Sequence, residues 1–231
     1  DVLERTGANI LWRDNNSNSK GVADRAAFED FRSPDNNPVC DVECRDVGML
    51  SGLQDYIDRQ TSGDILIVLH QMGNHGPAYF KRYPKSFERF TPACQSVELS
   101  ACSREEIGNA YDNAILYTDY FLSEVIALLK DNTPAYETAM LYVSDHGESL
   151  GESGLYLHGA PYMFAPAEQV EVPVIVWLGA SADVELASAL ELREAESSHD
   201  AVSAALIRLF EVETAQLDLG EDLFLVSEDA D

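Results

Sequence analysis

The sequence predicts one α/β domain with a mostly parallel central sheet flanked by helices. Three short and largely apolar runs, residues 64–70, 138–143 and 172–178, have the length of buried strands, and the first also has their Ile/Val content. Runs that are apolar on both faces are typical of central parallel strands. Helical patterns separate these runs, and such alternation is the pattern of an α/β domain. The length of 231 residues and the 45% hydrophobic content are sufficient for one sizeable core.

The first elements follow from short local patterns. Residues 8–12 predict a buried strand, and the polar loop at residues 13–21 is rich in the Asn and Asp of turns. Residues 47–59 carry apolar side chains at helical spacing and predict a helix. The strand at residues 64–70 then ends in a glycine-containing loop with two histidines, His70 and His75.

A capping box opens the clearest helix of the sequence, with Ser103 at the N-cap and Glu106 three residues later. Apolar residues then share one helical face. This face comprises Ile107, Tyr111, Ala114, Thr118, Phe121, Leu122, Val125 and Leu129. The helix is expected to end before Pro134, because proline disfavours helical conformation in the residue that precedes it.

The last third of the chain continues the alternation. Residues 182–192 and 197–210 predict helices, the second capped by Ser197 or Ser198, and residues 223–226 predict a short final strand. No internal repeat or linker interrupts the pattern, so we expect one domain over the whole sequence.

The charge balance is strongly acidic, with 41 acidic and 15 basic residues and a net charge of -26. This charge argues against a nucleic-acid partner. The acidic residues are scattered, which favours a solvated acidic surface over cation recruitment. Residues 79–92 are a local exception, since Lys81, Arg82, Lys85 and Arg89 make them a candidate surface for an anionic partner. No apolar run approaches the roughly 18 residues of a membrane helix.

The four cysteines form two local pairs, Cys40 with Cys44 and Cys94 with Cys102. Metal binding by these thiols is the alternative, but neither pair has C-x-x-C spacing and no histidine lies near either. Two disulfides are therefore expected. They indicate an oxidising compartment.

Candidate metal-binding residues lie in the segments that follow the predicted strands. Asp145 and His146 directly follow one strand, His158 comes twelve residues after His146, and His75 follows the strand at residues 64–70. Ligands of an open α/β sheet bind at the carboxyl ends of the strands. Carboxylate and imidazole together suit zinc and similar divalent metals. The sequence thus predicts a metal site for hydrolysis or phosphoryl transfer.

Other polar residues carry weaker signals. Asn16 and Lys20 would bind phosphate oxygens if the loop after the first strand reaches the same edge. His70 is interpreted as a structural residue of its strand, and His199 as a helix cap or a surface residue.

Seven ordered segments carry a family resemblance, which runs from about residue 8 to residue 210. The chain resembles the soluble catalytic domain of bacterial phosphoethanolamine–lipid A transferases, the group that includes the colistin-resistance transferases, within the alkaline phosphatase/sulfatase superfamily. The segments are WRDNNSNSKGVADR, CRDVGML, VLHQMGNHGPAYFKRYP, FTPAC, YDNAILYTDY, SDHGESLGESGLYLHGAPY and VPVIVWL.

The resemblance implies a sulfatase-like α/β sandwich and a zinc enzyme. The family transfers phosphoethanolamine from phosphatidylethanolamine to a lipid A phosphate through a phospho-threonine intermediate, and thereby confers polymyxin resistance. It also implies an inner-membrane parent protein with N-terminal transmembrane helices and a catalytic domain that faces the periplasm. Residues 1–231 would be the C-terminal portion of that single catalytic domain.

The resemblance also assigns roles to residues. Asp145 and His146 match two of four ligands of the nucleophile-activating zinc, whereas His75 and His158 match catalytic histidines that bind phosphoethanolamine or a second zinc. Residues that match the donor head-group pocket are Asn16, Ser17, Lys20 and Glu148. A disulfide between Cys94 and Cys102 fits the family, as does one that joins Cys44 to Cys40.

One departure from the family is large. Its nucleophilic threonine and its glutamate zinc ligand precede the segment where this chain starts, and no threonine in these 231 residues matches the nucleophile. The chain is also expected to lack the first strand and the nucleophile helix, and to be inactive alone. Our hypothesis is a fragment of a longer transferase. The alternatives are a sibling transferase that modifies another lipopolysaccharide sugar or glycan, and a catalytically inactive binding domain.

Overall fold

A computed structural model describes residues 2–184, 186–193, 195–212 and 223. The strands lie in three separate sheets within this part of the chain. They are β1 (Asn9–Asp14), β2 (Ala27–Asp30), β3 (Ile65–His70), β4 (Ala139–Val143), β5 (Ser149–Leu150), β6 (Tyr156–Leu157) and β7 (Val174–Leu178). The helices are α1 (Val2–Arg5), α2 (Leu53–Asp58), α3 (Arg104–Asn132), α4 (Ala167–Val170), α5 (Leu186–Leu192) and α6 (Asp200–Leu209).

The first sheet is parallel and has the strand order β2-β1-β3. Its register pairs Asp14 with His70, so both residues stand at the carboxyl edge of the sheet. Strand β2 was not predicted from the sequence, because its four residues AFED have no alternating pattern and two of them are exposed. The parallel prediction is confirmed for this sheet.

The other two sheets are antiparallel. β4 pairs with β7 from Ala139 opposite Leu178 to Val143 opposite Val174. β5 and β6 form a small hairpin. The domain is therefore a mixed α/β fold, in which the predicted strand at residues 172–178 is real but runs opposite to β4.

The predicted helix at residues 47–59 is divided into two pieces. A 3-10 turn covers Asp46–Leu50, and α2 begins only at Leu53. Gly52 separates them with a φ of +69°, a left-handed conformation that glycine adopts readily. Apolar spacing alone did not reveal this break.

The long helix α3 confirms its predicted start and end. The Ser103 side chain accepts a hydrogen bond from the Glu106 amide, and the Glu106 carboxylate accepts one from the Ser103 amide. Ile107 and Phe121 on the predicted face are fully buried. The face also includes the buried amide of Asn113, whose oxygen accepts hydrogen bonds from two backbone amides of the preceding loop.

A cleft of about 1020 Å³ separates β3 from β4. Among the described strands, β3 pairs only with β1 and β4 only with β7, so the edges that line the cleft are unpaired. All six residues of β3 remain partly exposed, although the strand is apolar. The predicted burial of this strand on both faces is therefore incomplete.

Two disulfides are present, Cys40–Cys44 and Cys94–Cys102, as predicted. Residues 224–226 of the predicted final strand lie outside the described part of the chain. Within the described residues, every helix is too short or too polar to cross a bilayer.

Candidate metal centre

Three loops bring three histidines into one cluster. His75 lies in the loop after β3, His146 in the loop after β4, and His158 directly after β6. One ligand nitrogen from each ring lies within 4.8 Å of the others. Tetrahedral zinc with bonds of about 2.0–2.1 Å separates its ligand nitrogens by about 3.3 Å. Small side-chain movements would therefore close the cluster around an ion.

Hydrogen bonds fix the tautomer of each ring. The Nδ1 atom of His75 donates to the Gly76 carbonyl at 2.7 Å, and that of His146 donates to the Gly147 carbonyl at 2.9 Å. The Nδ1 atom of His158 lies 3.2 Å from a Glu148 carboxylate oxygen. Because these acceptors hold a proton on Nδ1, each Nε2 atom keeps its lone pair for a metal.

Glu148 connects two of the three loops. Its carboxylate accepts hydrogen bonds from the Gly76 amide at 3.0 Å and the Tyr79 hydroxyl at 2.7 Å, in addition to His158. Burial and the charge of Glu148 raise the pKa of Tyr79, so its hydroxyl stays protonated and donates. Glu148 is itself buried. The geometry thus favours a role in orienting His158, whereas the resemblance assigned Glu148 to a head-group pocket.

Gly147 of the Asp-His-Gly-Glu segment is required by close packing. A Cβ atom at this position would lie 2.1 Å from the Glu168 carbonyl oxygen. The Gly147 amide also donates to the Gln169 carbonyl at 3.0 Å. The turn that carries His146 is thereby held against the segment that follows His158.

Asp145 lies next to the cluster but is not one of its three members. Its side chain is 78% exposed, and its nearest carboxylate oxygen is 3.8 Å from the Nε2 atom of His146. The structure thus groups His146 with His75 and His158. The predicted pairing of Asp145 with His146 around a separate zinc stays a prediction.

The loop after β1 reaches the same edge through Asn16. The Asn16 side-chain amide donates to the Gln71 carbonyl at 2.9 Å, and its oxygen accepts from the Ser17 amide. Asn16 also lines the β3–β4 cleft. The side chains of Ser17 and Lys20 are exposed. The structure therefore brings Asn16 close to the loop that carries His75, and it leaves Ser17 and Lys20 on the surface.

Sequence reasoning missed the buried carboxylate of Asp46. It accepts hydrogen bonds from the Asn15 side chain and from the Met72 and Gly73 amides, so it joins the loops after β1 and β3. Burial raises the pKa of Asp46, while these three hydrogen bonds act in the opposite direction. The Cys-Arg-Asp triplet that carries Asp46 belongs to the segments of the family resemblance, but the resemblance implied no role for Asp46.

His70 and His199 both contact polar groups. The Nδ1 atom of His70 lies 2.8 Å from a carboxylate oxygen of the buried Asp14, which supports the structural interpretation of His70. His199 occupies the N-cap position of α6 without a side-chain capping bond, and its Nε2 atom donates to the Ser144 carbonyl instead. His199 is exposed, as expected, but it does not cap its helix through its side chain.

The basic side chains at residues 79–92 are less available to an anionic partner than the sequence predicts. Arg82 forms an ion pair with Glu43 and donates to the His75 carbonyl at 2.6 Å, and its side chain is only 8% exposed. Lys85 pairs with Glu88. Arg82 therefore supports the loop of His75, and the Lys81 ammonium lies over the ring of Phe80.

The fold and the histidine cluster together define an α/β domain with a candidate metal site at the ends of its strands. The sulfatase family matches residues 2–212, and the chain belongs to that family. Phosphatidylethanolamine transferase Mcr-1 of Escherichia coli is 50% identical over 219 residues, which is 92% of this chain and 40% of the relative. The chain thus spans about two fifths of the length of the curated relatives it matches.

Solved structures agree with this assignment. The integral membrane protein lipooligosaccharide phosphoethanolamine transferase A of Neisseria meningitidis has a TM-score of 0.85 at 34% identity, covering 91% of this chain and 40% of that one. The C-terminal periplasmic domain of phosphoethanolamine transferase EptC of Campylobacter jejuni has a TM-score of 0.81 at 41% identity, covering 92% and 66%. The predicted sulfatase-like fold is confirmed.

Proposed function

We propose that this chain is part of a zinc-dependent transferase that moves phosphoethanolamine from phosphatidylethanolamine to a lipid A phosphate. The observation that carries the proposal is the cluster of His75, His146 and His158, in which every Nδ1 atom is engaged by an acceptor and every Nε2 atom is left for a ligand. The relatives supply the class of reaction, since several of them are named phosphoethanolamine transferases.

The donor set suits zinc, because neutral imidazole nitrogen is a common zinc ligand. Zinc held there supplies positive charge that lowers the pKa of a nucleophile and offsets charge on the transferring group. His75, His146 and His158 would hold the ion through their Nε2 atoms, and Glu148 would keep His158 in the required tautomer. Asp145 is accessible as a further ligand, while Asn16, Ser17 and Lys20 would contact the donor head group.

We further propose that these residues are one part of a single sulfatase-like catalytic domain, which an additional strand completes. The β3–β4 cleft supports this idea, because its two edges have no paired strand in the described part of the chain and their backbone groups need hydrogen-bond partners. The cleft also reaches His75, Asp145 and His146. A residue at the end of an inserted strand would therefore meet the cluster, which is where the nucleophilic threonine is required.

Location and partners are part of the same proposal. An inner-membrane parent protein with a periplasmic catalytic domain agrees with the two disulfides and with the two relatives of known structure, an integral membrane protein and a periplasmic domain. Phosphatidylethanolamine and lipid A would both reach the site from the membrane. No nucleic-acid partner is proposed.

Mass spectrometry of lipid A from cells that express the full parent gene tests the reaction. We expect added phosphoethanolamine with the native sequence and none with His75→Ala, while an exposed control such as Glu124→Gln keeps the modification. Unmodified lipid A together with a modified core sugar would instead favour the sibling transferase. An isolated chain that binds neither zinc nor phosphoethanolamine would favour the inactive binding domain.

A further inference from the structure

An uncharged loop protrudes beside the histidine cluster. Residues 159–167 follow His158 directly and contain no charged residue, in a chain of which 24% is charged. The 3-10 turn Tyr162–Phe164 forms the tip of this loop. Tyr162 and Met163 are each 86% exposed, and Phe164 is 75% exposed. These three side chains are called the apolar loop tip.

The loop is tied to the turns that carry the site. The Ala160 amide donates to the Gln169 side chain, which is buried and donates in turn to the Ser149 hydroxyl at 2.9 Å. The backbone of Gln169 also accepts the amide of Gly147, next to His146. A surface that holds the apolar loop tip would thereby hold the cluster at a defined place.

We propose that the apolar loop tip inserts into the boundary between head groups and acyl chains of a phospholipid bilayer and docks the histidine cluster beside lipid head groups. This inference rests on the proposed function, in which donor and acceptor are both lipids. Aromatic side chains with a polar edge and neighbouring apolar side chains are typical of that boundary.

The shape and charge of the tip favour a bilayer over a protein partner. A stable protein interface needs about 20–30 residues on each side, and three side chains on one short turn are far fewer. The net charge of -26 disfavours approach to an anionic surface, so an uncharged contact is the one that tolerates such a surface best. We therefore expect insertion to depend on apolar contact and to be insensitive to salt.

An introduced cysteine makes insertion measurable. All four native cysteines are in disulfides, so Met163→Cys would provide a single thiol for an environment-sensitive fluorophore. The chain is tethered by an N-terminal hexahistidine tag to vesicles of phosphatidylcholine and phosphatidylethanolamine that contain a nickel-chelating lipid. The tether raises the local concentration of a weak contact. The matched control is Val42→Cys, since Val42 is 71% exposed and lies in the Cys40–Cys44 loop.

We expect a blue shift and quenching by brominated acyl chains at position 163 and neither effect at position 42. Adding Tyr162→Ser and Phe164→Ser should decrease the inserted fraction at least about tenfold. Zinc affinity should stay unchanged in every variant, which shows that the site is folded. High salt should not change quenching appreciably on these vesicles, because the contact is apolar.

Three results would overturn the proposal: no quenching at position 163, equal quenching at position 42, or quenching that salt abolishes and Lys81→Ser removes. The last result would assign membrane contact to the basic stretch at residues 79–92. Failure of the proposed function is distinguishable, because it would appear as a loss of zinc binding or of lipid modification with insertion intact.

Discussion

At the scale of single residues, the site depends on acceptors behind the histidines. Sequence patterns identified His75, His146 and His158, because a histidine in a glycine-containing loop after a strand is readable from sequence. Sequence patterns did not reveal what orients the three imidazole rings. That information lies in the Gly76 and Gly147 carbonyls and in Glu148, and tertiary structure alone brings Glu148 against the loop of His75.

Replacing Glu148 by Gln tests its positioning role. The neutral amide keeps an acceptor oxygen, but it removes the negative charge that strengthens the hydrogen bond from His158 and raises the basicity of its ring. Zinc affinity should fall by about 10–100-fold, as for other residues that orient metal ligands. Competition with a chelator measures this affinity on the chain itself. The exposed replacement Glu124→Gln should have no effect, and equal affinities for Glu148→Gln and the native chain would refute the role.

Asp46 predicts a particular dependence of stability on pH. Burial raises its pKa in the folded state, so the folded state holds the proton more tightly than the unfolded state. The protonated form of Asp46 therefore favours folding below the unfolded pKa of about 3.9, and this contribution is lost as pH rises through the folded pKa. Asn at this position cannot titrate.

The comparison of native chain and Asp46→Asn isolates that contribution. Denaturant titration measures the free energy of unfolding of both chains. The value for the variant should increase relative to the value for the native chain as the pH rises above about 4. Asp55→Asn, at an exposed position on α2, is the control for an ordinary carboxylate. A difference between native and Asp46→Asn chains that is constant with pH would contradict the assignment.

At the scale of elements, local chemistry predicted the structure best where a side chain acts on its own backbone. The capping box of α3 is such a case, since Ser103 and Glu106 are three residues apart and satisfy each other. Elements that depend on strands distant in the sequence were harder to predict. β2 is visible only once β1 lies beside it, and the direction of β7 is set by β4. Strand direction has no local signature in the residues of the strand.

The cap makes a direct prediction for α3. Ser103→Ala removes the acceptor for the Glu106 amide and should cost about 1 kcal/mol in the free energy of unfolding. The hydrogen bonds from Ser103 lower the pKa of Glu106, so the contribution of this carboxylate is present above its unfolded pKa and is lost as pH falls through the folded pKa. Denaturant titration of both chains checks the cost, with Ser123→Ala on the exposed face as control. A cost below that of Ser123→Ala would contradict the capping role.

At the scale of the whole molecule, a cleft separates the β2-β1-β3 sheet from the β4-β7 sheet. No pattern in the sequence predicted this cleft. The sequence of residues 64–70 predicts a central strand, because a strand that is apolar on both faces is typical of a position between two neighbouring strands. Only one neighbour, β1, pairs with it among the described strands. The disagreement between composition and observed pairing is the physical basis for proposing an additional strand.

Amide hydrogen exchange tests that strand. Amides of β3 and β4 that point into the cleft should exchange rapidly in the 231-residue chain and slowly in the full parent protein, because an inserted strand would supply their acceptors. Amides of β3 that bond to β1 serve as the internal control and should be protected in both proteins. Equal exchange of the cleft amides in both proteins would show that no strand enters there.

The central claim is that His75, His146 and His158 hold one zinc ion, and anomalous diffraction at the zinc edge tests it most directly. Crystals of the chain grown with zinc should give a peak within bonding distance, about 2.0–2.1 Å, of the Nε2 atoms of all three rings. A peak bonded to Asp145 and His146 but distant from His75 and His158, or no peak at this edge of the sheet with zinc in excess, would contradict the account.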